Sequence, residues 1–265
     1  MDFEALQATR ESCRVYSDRP VPRETLAHLV DVARLAPSGC NAQPWRFIII
    51  DEPEARAKLI EALDDDGLTG CPWGDRVPNF ILICEDEAHV KPGVAEHYGA
   101  QHFAQMDIGM AAMALCYEAT SMGLGTCWLG AGFYPDIINR NVDLQTDEAV
   151  HCVISIGKAN LPAFAPKRKE LVKVCGMDEA QLGQLGAWQK EAVLAARLAP
   201  SAINQQPWKI VADKTSVSIL ETTVLYKKYA PLDRGICMLH AAVGAAKAGR
   251  TGLWKKVDGG YAMKA

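Results

Sequence analysis

The sequence of 265 residues has no apolar run of the roughly 18 residues that a membrane-spanning helix requires. Its N-terminal stretch MDFEALQATRESCR has acidic residues and no apolar core, so it predicts neither a signal peptide nor a transit peptide. Positive charge is not in excess either, since the net charge is −4. This balance argues against nucleic acid or an anionic membrane surface as the main partner. We therefore expect a cytoplasmic protein whose main partner is neither nucleic acid nor a membrane surface.

The nine cysteines contain no Cys-x-x-Cys pair, and their number is odd. Their spacing therefore gives neither a zinc site nor a disulfide framework. Several lie in apolar runs, such as Cys84 in FILICED and Cys152 in VHCVISIG, where cysteine behaves as a small core side chain. His97 and His102 are five residues apart, which places them on different faces of a helix. The sequence predicts structural thiols and no metal site.

Secondary-structure patterns alternate between helix and strand along the chain. Helical spacing covers the stretch between Pro22 and Pro37, and helices are also expected over 52–65 and 100–122. The runs WRFIII, NFILICED and EAVHCVISIGKA predict buried strands, and GTCWLGAG predicts a short strand that ends in a glycine turn. An extended arm, LPAFAPKRKELVKV, follows the last of these strands. The predicted fold class is α+β, a mixed sheet flanked by helices.

One unusual phrase occurs twice in the chain. Residues 35–47 are LAPSGCNAQPWRF and residues 198–210 are LAPSAINQQPWKI. Between 33–47 and 196–210, ten of fifteen aligned positions are identical at an offset of 163. Four further identities follow at an offset of 126. They match Asp107, Gly109, Gly123 and Trp128 with Asp233, Gly235, Gly249 and Trp254, respectively. The sequence therefore predicts a domain duplication rather than a repeat array.

The change of offset means that the second copy is 37 residues shorter than the first. Its stretch KIVADKTSVSILE predicts two strands joined by a tight turn, where the first copy has a helix and a loop. We expect a first domain over 1–176, which includes the arm, and a shortened second domain over 177–265.

The repeated phrase ends a helix at its proline and places Ser, then Gly or Ala, then Asn in a tight turn before a strand. Such a turn offers backbone N–H groups, a hydroxyl and an amide to a flat polar molecule. It is also typical of a simple helix-capping turn followed by a buried tryptophan. The turn alone does not decide between these two interpretations.

Arg10, Ser12 and Arg14 alternate in the stretch RESCRVYSDRPV. Two guanidinium groups with a hydroxyl between them suit a phosphomonoester, because arginine matches phosphate oxygens and the hydroxyl adds a donor. Residues 166–169, PKRK, place more positive charge on the arm. Each basic cluster alone is typical of a solvated surface.

Together, in this order and spacing, these elements resemble the nitroreductase family of FMN-dependent oxidoreductases, over residues 10 to about 174. The most specific parts of the resemblance are APSGCNAQPWRF and the segment RESCR. In that family an Arg-x-Ser-x-Arg segment and an arginine of the C-terminal arm hold the FMN phosphate. The resemblance implies that Arg10, Ser12, Arg14 and Arg168 have this role here. Glu11 lies within the same segment and departs from the family, in which a basic residue or histidine is common.

The resemblance also implies contacts to the flavin ring. Leu129, Gly130 and Ala131 match the segment whose backbone faces the N5 edge of the flavin. Family members are dimers, and the Pro-Ser-x-x-Asn turn of one subunit reaches the ring bound to the other. The second copy resembles a two-lobed subgroup in which one polypeptide imitates this dimer. The expected ring contacts are Pro200, Ser201, Ala202 and Asn204; Ser38 and Asn41 of the first copy are the alternative.

The expected function follows from this resemblance. It implies an oxidoreductase that uses FMN and NAD(P)H and reduces a nitroaromatic or quinone-type acceptor. The chain is expected to form an intrachain pseudo-dimer that binds one FMN, and to be a monomer or a weak homodimer. No side chain is assigned as a catalytic acid or base, since the flavin carries the chemistry. Arg76 is a weaker candidate for a position near the flavin. Two alternatives stay open: a reductive dehalogenase or flavin-processing enzyme fed by another reductase, and a non-catalytic flavin-binding protein.

Overall fold

In the computed structural model the described residues are 2–64, 76–90, 92–93, 96, 100–129, 138, 142–143, 148–160, 167–224 and 227–264. The chain forms two compact units, Met1–Ala165 and Pro166–Ala265. This division lies eleven residues before the expected boundary at 176. The reason is that the described part of the arm packs within the second unit, where the helix Leu171–Cys175 contacts the strand Trp208–Ala212.

Four α-helices and four strands of the first unit are described over their full length. The helices are α1 (Phe3–Thr9), α2 (Arg23–Ala33), α3 (Pro53–Asp64) and α4 (Ala100–Ser121). The strands are β1 (Trp45–Ile50), β2 (Asn79–Asp86), β3 (Leu124–Leu129) and β4 (Glu148–Lys158). They form one antiparallel sheet in the order β1-β2-β4-β3. The expected helices and strands are thus present, while the segment 130–137 lies outside the described residues.

Helices cover both faces of this sheet. On one face α3 contributes Leu59, Ala62 and Leu63 to an apolar cluster that includes Leu82 and Val153 of the sheet. On the other side α2 packs against α4. The buried residues of α2 recur at a helical spacing of three to four positions and are Leu26, Leu29 and Ala33. Because both faces are covered, all eight residues of β2 are buried.

The second unit repeats this plan in shorter form. Its helices are α5 (Leu171–Cys175), α6 (Glu179–Leu182), α7 (Ala187–Arg197) and α8 (Ala230–Lys247). Its strands are β5 (Trp208–Ala212), β6 (Ser216–Glu221), β7 (Leu253–Val257) and β8 (Gly260–Lys264), in the order β5-β6-β8-β7. Strands β5 and β6 are joined by a tight turn in which the Asp213 carboxylate accepts the N–H groups of Thr215 and Ser216, at 2.7 and 2.8 Å. The predicted strand-turn-strand is confirmed.

Most of the described cysteines lie in the interior, as expected for structural thiols. Seven of the eight cysteines described are buried, Cys40 is exposed, and all eight are free thiols. Burial raises the pKa of Cys84 to about 12, so this thiol is a poor nucleophile. Within the described ranges, no cluster of three or more His, Cys, Asp or Glu side chains has the arrangement of a metal site. None of the helices in that part of the chain has the length and apolar character needed to cross a bilayer.

Candidate functional site

The segment after α1 carries the three residues expected to bind phosphate, and it lies along β3. The N–H of Cys13 donates to the carbonyl of Thr126 at 2.9 Å, and Ser12 forms an isolated parallel bridge with the same residue. Arg10 ends α1 and is 4% exposed, whereas Ser12 and Arg14 are exposed. The structure therefore brings the three predicted residues together beside one strand.

The guanidinium of Arg10 is buried without a carboxylate partner among the described residues. It lies near the thiols of Cys116 and Cys127: burial raises the pKa of both, to about 11 for Cys127, while the positive charge of Arg10 acts to lower it. A buried charge without a partner is costly, so such a group is stabilised when an anion binds. Arg10 with the exposed hydroxyl of Ser12 and the exposed side chain of Arg14 is a donor set that fits a phosphate group.

Glu11 is half-buried within this segment. The pKa of the neighbouring Cys13 is raised chiefly by burial, and the negative charge of Glu11 contributes in the same direction. Glu11 therefore places negative charge beside the arginines.

The two copies of the Pro-Ser-x-x-Asn turn have the same backbone. In the first copy Cys40, Asn41 and Gln43 have φ of 53°, 54° and 50°, and in the second the matching residues Ile203, Asn204 and Gln206 have 46°, 56° and 47°. The serine hydroxyl closes each turn by accepting an N–H two residues beyond the asparagine. The distances are 3.0 Å from Gln43 to Ser38 and 2.8 Å from Gln206 to Ser201.

A buried carboxylate holds each turn from a neighbouring helix. Asp107 of α4 accepts the N–H of Gly39 at 3.0 Å, and Asp233 of α8 accepts the N–H of Ala202 at 2.9 Å. Both side chains are almost fully buried, with residue exposures of 3% and 1%. Burial raises the pKa of each to about 7, and the backbone hydrogen bond acts in the opposite direction.

A family model described as the nitroreductase family matches residues 8–158, which is more than half of the chain. The chain belongs to the nitroreductase family. A second model, of TM nitroreductases, matches residues 89–245 and so extends into the second unit. These matches confirm the α+β fold class and the oxidoreductase class that were expected from the sequence.

Individual relatives of this nitroreductase give the same picture. A protein of Archaeoglobus fulgidus with the assigned name NADH dehydrogenase/NAD(P)H nitroreductase is 34% identical over 157 residues, covering 56% of this chain and 80% of the relative. An FMN reductase [NAD(P)H] of Bacillus subtilis is 29% identical over 130 residues, 45% of this chain and 50% of the relative.

A solved structure from Thermotoga maritima MSB8, described as a nitroreductase, covers 100% of this chain and 94% of its own, with a TM-score of 0.63 and 19% identity. At that identity the likeness shows the fold alone, and it spans both units.

The expected N5-facing segment of this nitroreductase is described only at its first residue. Leu129 is the last residue of β3, is 7% exposed and pairs with Val153 of β4. Gly130 and Ala131 lie outside the described residues. The assignment of these three residues to the flavin stays a prediction.

The arm arginine expected to bind phosphate contacts the second turn. Arg168 lies in the second unit, where it donates to the Asn204 side-chain oxygen at 2.9 Å and to the Leu198 carbonyl at 3.2 Å. The Asn204 amide nitrogen in turn donates to the Lys167 carbonyl at 2.9 Å. Contacts of Arg168 with a phosphate and of Asn204 with a flavin ring remain predictions, because here both side chains hold the arm to the turn.

The remaining expected contacts can be placed individually. Pro200, Ser201 and Ala202 are half-buried in the second turn. Ser38 is half-buried in the first turn, and the Asn41 side chain is exposed and makes no hydrogen bond to the described part of the chain. Arg76 is exposed and borders a cavity of about 590 Å³ with residues that include Tyr16 and Arg56.

Asp107 and Asp233 were not among the residues predicted to form the site. Both were visible as identities between the two copies, at an offset of 126. Their hydrogen bonds to the turns span 68 and 31 residues of chain, so no local pattern could reveal them.

Proposed function

We propose that this nitroreductase binds FMN in its first unit and uses it to pass electrons from NAD(P)H to a small organic acceptor of nitroaromatic or quinone type. The observation that carries the proposal is the buried guanidinium of Arg10, which has no carboxylate partner in the described ranges and lies beside Ser12 and Arg14. The names of the Archaeoglobus and Bacillus relatives support the reductant and the cofactor.

The roles of the residues follow from their chemistry. Arg10 and Arg14 would bind the FMN phosphate by charge-assisted hydrogen bonds, with the Ser12 hydroxyl as a further donor. The bridge between this segment and Thr126 fixes the phosphate-binding residues relative to β3, whose end at Leu129 leads into the segment expected to face the ring. FMN, when bound, supplies the hydride and electron transfer. No side chain is proposed as an acid or base.

The stoichiometry expected is one FMN per chain. The sequence of the second copy has no counterpart of Arg10-x-Ser12-x-Arg14, so it lacks a comparable phosphate site. Pro200, Ser201, Ala202 and Asn204 remain the proposed ring contacts of the second unit. The exposed Asn41 supports the first copy, with Ser38, as the alternative.

The test begins with an anaerobic titration of the FMN-loaded protein with NADH and with NADPH, followed by the flavin absorbance. We expect at least one nucleotide to bleach the flavin without a partner protein. If a chemical reductant bleaches the flavin but neither NADH nor NADPH does, the result would favour an enzyme fed by another reductase. A protein that binds no FMN would contradict the proposal.

The phosphate assignment has its own variant. Removal of charge-assisted hydrogen bonds worth about 1.5–3 kcal/mol predicts that Arg10→Ala weakens FMN binding by about tenfold or more. Lys173→Ala is the matched control, because Lys173 is an exposed basic residue outside the segment. Retention of FMN by the Arg10 variant through dialysis, at the level of the parent protein, would overturn this assignment.

A further inference from the structure

Each copy of the turn holds three non-glycine residues in the left-handed region. That conformation is unfavourable for most L-residues, and strained residues persist only where the surroundings impose them. The same three positions are affected in both copies although Cys40 is replaced by Ile203. The conformation is therefore a property of the turn and its supports, not of one residue type.

Bonds inside the turn account for only part of this support. The serine hydroxyl accepts the N–H of Gln43 or Gln206, and the serine carbonyl accepts the N–H of the asparagine, at 3.0 Å in the first copy and 2.9 Å in the second. These bonds close the loop on itself. They do not fix where the loop lies relative to the helices of its unit.

The bond that does so comes from a helix in each unit. Asp107 and Asp233 occupy the matching position of α4 and α8, and each carboxylate reaches the N–H of the residue directly after the serine. The second oxygen of Asp233, Oδ2, is buried without a hydrogen-bond partner in the described part of the chain. Both carboxylates are almost fully buried, which is costly, and this indicates that the bond of each to its turn has a role.

We propose that Asp107 and Asp233 are positioning residues, each of which fixes the strained Pro-Ser-x-x-Asn turn of its unit so that the serine hydroxyl is presented at a defined place. The proposal rests on the proposed function, in which a turn of this kind contacts the flavin ring. It concerns residues that hold the turn and not residues that touch the flavin.

The surroundings of the two carboxylates make the bond sensitive to pH. Among the described residues, the N–H of Gly39 faces the Asp107 carboxylate. The aromatic ring of Phe103 lies beside Gly39. Asp233 faces the Ala202 N–H and the thiol of Cys237, while the neighbouring Arg234 pairs with Glu221. Since burial raises the pKa of both carboxyls to about 7, they change charge close to neutral pH. A neutral carboxyl is the weaker acceptor, so the turn is held less firmly in the lower part of this range.

The first arm of the test uses the protein without FMN, and so does not depend on the proposed function. Hydrogen–deuterium exchange is followed in peptides that cover 36–44 and 199–207. Asp107→Ala should speed exchange by tenfold or more in the first peptide only, and Asp233→Ala in the second only. The matched controls Asp107→Asn and Asp233→Asn keep an acceptor oxygen and should exchange like the parent. Unchanged exchange in both alanine variants would overturn the proposal.

The second arm measures FMN dissociation constants between pH 6 and 8. We expect at least one alanine variant, Asp233→Ala if the second turn contacts the ring, to bind FMN about tenfold more weakly. The corresponding asparagine variant should restore affinity and flatten the pH profile, which a purely structural role would not do. Parent-like affinity and parent-like pH profiles in all four variants would overturn the functional part of the proposal.

The two failures can be told apart. If the parent protein binds no FMN, the proposed function fails while the exchange arm still tests the hydrogen bonds. If the parent binds FMN and is bleached by NAD(P)H but the variants behave like it, the proposed function stands and the positioning role is wrong.

Discussion

The two units share one strand order but differ in what covers the corresponding face of the sheet. In the first unit, α3 covers one face of the sheet. On that face, a row of residues paired across neighbouring strands consists of Ile48, Leu82, Val153 and Leu129. The matching row of the second unit runs Val211, Ser218, Ala262, Lys255. The second copy lacks the 37 residues that include α3, and Lys255 and Val211 of its row are exposed.

This comparison shows how a sheet adapts to the loss of a covering helix. Leu82 and Val153 are fully buried, whereas Ser218 is half-buried. An antiparallel sheet tolerates one solvated face if the outward positions become small or polar. The inward face keeps Ile210, Val217 and Ile219, all fully buried. The duplicated fold thus survives because only one of its two apolar faces was replaced.

The largest effect is expected from truncating the matched residues of these rows. Leu82→Ala should lower the free energy of unfolding by about 2–5 kcal/mol, because it leaves a cavity under α3. Ser218→Ala, at the same register position of the second sheet, should change it by less than about 0.5 kcal/mol. Urea unfolding of both variants measures the difference. Equal losses would mean that the second sheet has a cover on this face after all.

The carboxyl groups that hold the two turns should make the free energy of unfolding depend on pH. A carboxyl whose pKa is raised in the folded state binds protons more tightly there than in the unfolded chain, so stability is greatest at low pH. It falls as the pH rises from about 4 to 7, by up to about 1.4 kcal/mol per pH unit for each carboxyl. Asp107→Asn and Asp233→Asn should each remove part of this slope, and the double variant most of it. Urea midpoints measured from pH 5 to 7.5 test this; an unchanged slope in the double variant would contradict it.

A smaller difference is expected between the two asparagines of the turns. Asn204 bonds to Lys167 and Arg168 of the arm, whereas the Asn41 side chain makes no hydrogen bond within the described ranges. Both have positive φ, so their replacement by alanine carries the same backbone cost. Asn204→Ala should therefore destabilise the protein by about 1–3 kcal/mol more than Asn41→Ala.

Limited proteolysis of the arm at Lys167–Lys173 measures locally how firmly Asn204 holds the arm to the turn. Cleavage should be faster in the Asn204 variant than in the Asn41 variant. Identical cleavage rates would show that the arm is held by other contacts.

The smallest effect is expected from cysteine modification. Cys40, in the first turn, is the exposed cysteine of the described set, and its counterpart Ile203 has no thiol. Iodoacetamide should label Cys40 first and leave Cys84, Cys116 and Cys152 unlabelled, since burial raises the pKa of these thiols. Turnover should be unaffected, with Cys40→Ser as the unlabelled control. Loss of activity in proportion to Cys40 labelling would assign this thiol a role that we do not expect.

The sequence by itself determined the elements and the duplication. Apolar residues at helical spacing placed α2, and a 22-residue apolar stretch placed α4, because burial of one face or of a whole helix leaves a periodic trace in the chain. The change of offset from 163 to 126 also predicted that β5 and β6 would be joined directly. Arg10, Ser12 and Arg14 were found by their spacing and by resemblance.

Only the tertiary structure decided how distant residues meet. It assigned the arm to the second unit, and it paired the guanidinium of Arg168 with the side-chain oxygen of Asn204. It also brought Asp107 and Asp233 to the two turns. The physical reason is that hydrogen bonds between residues far apart in the chain depend on packing and burial. Burial also set the pKa of these carboxyls near 7, a value that no local sequence pattern encodes.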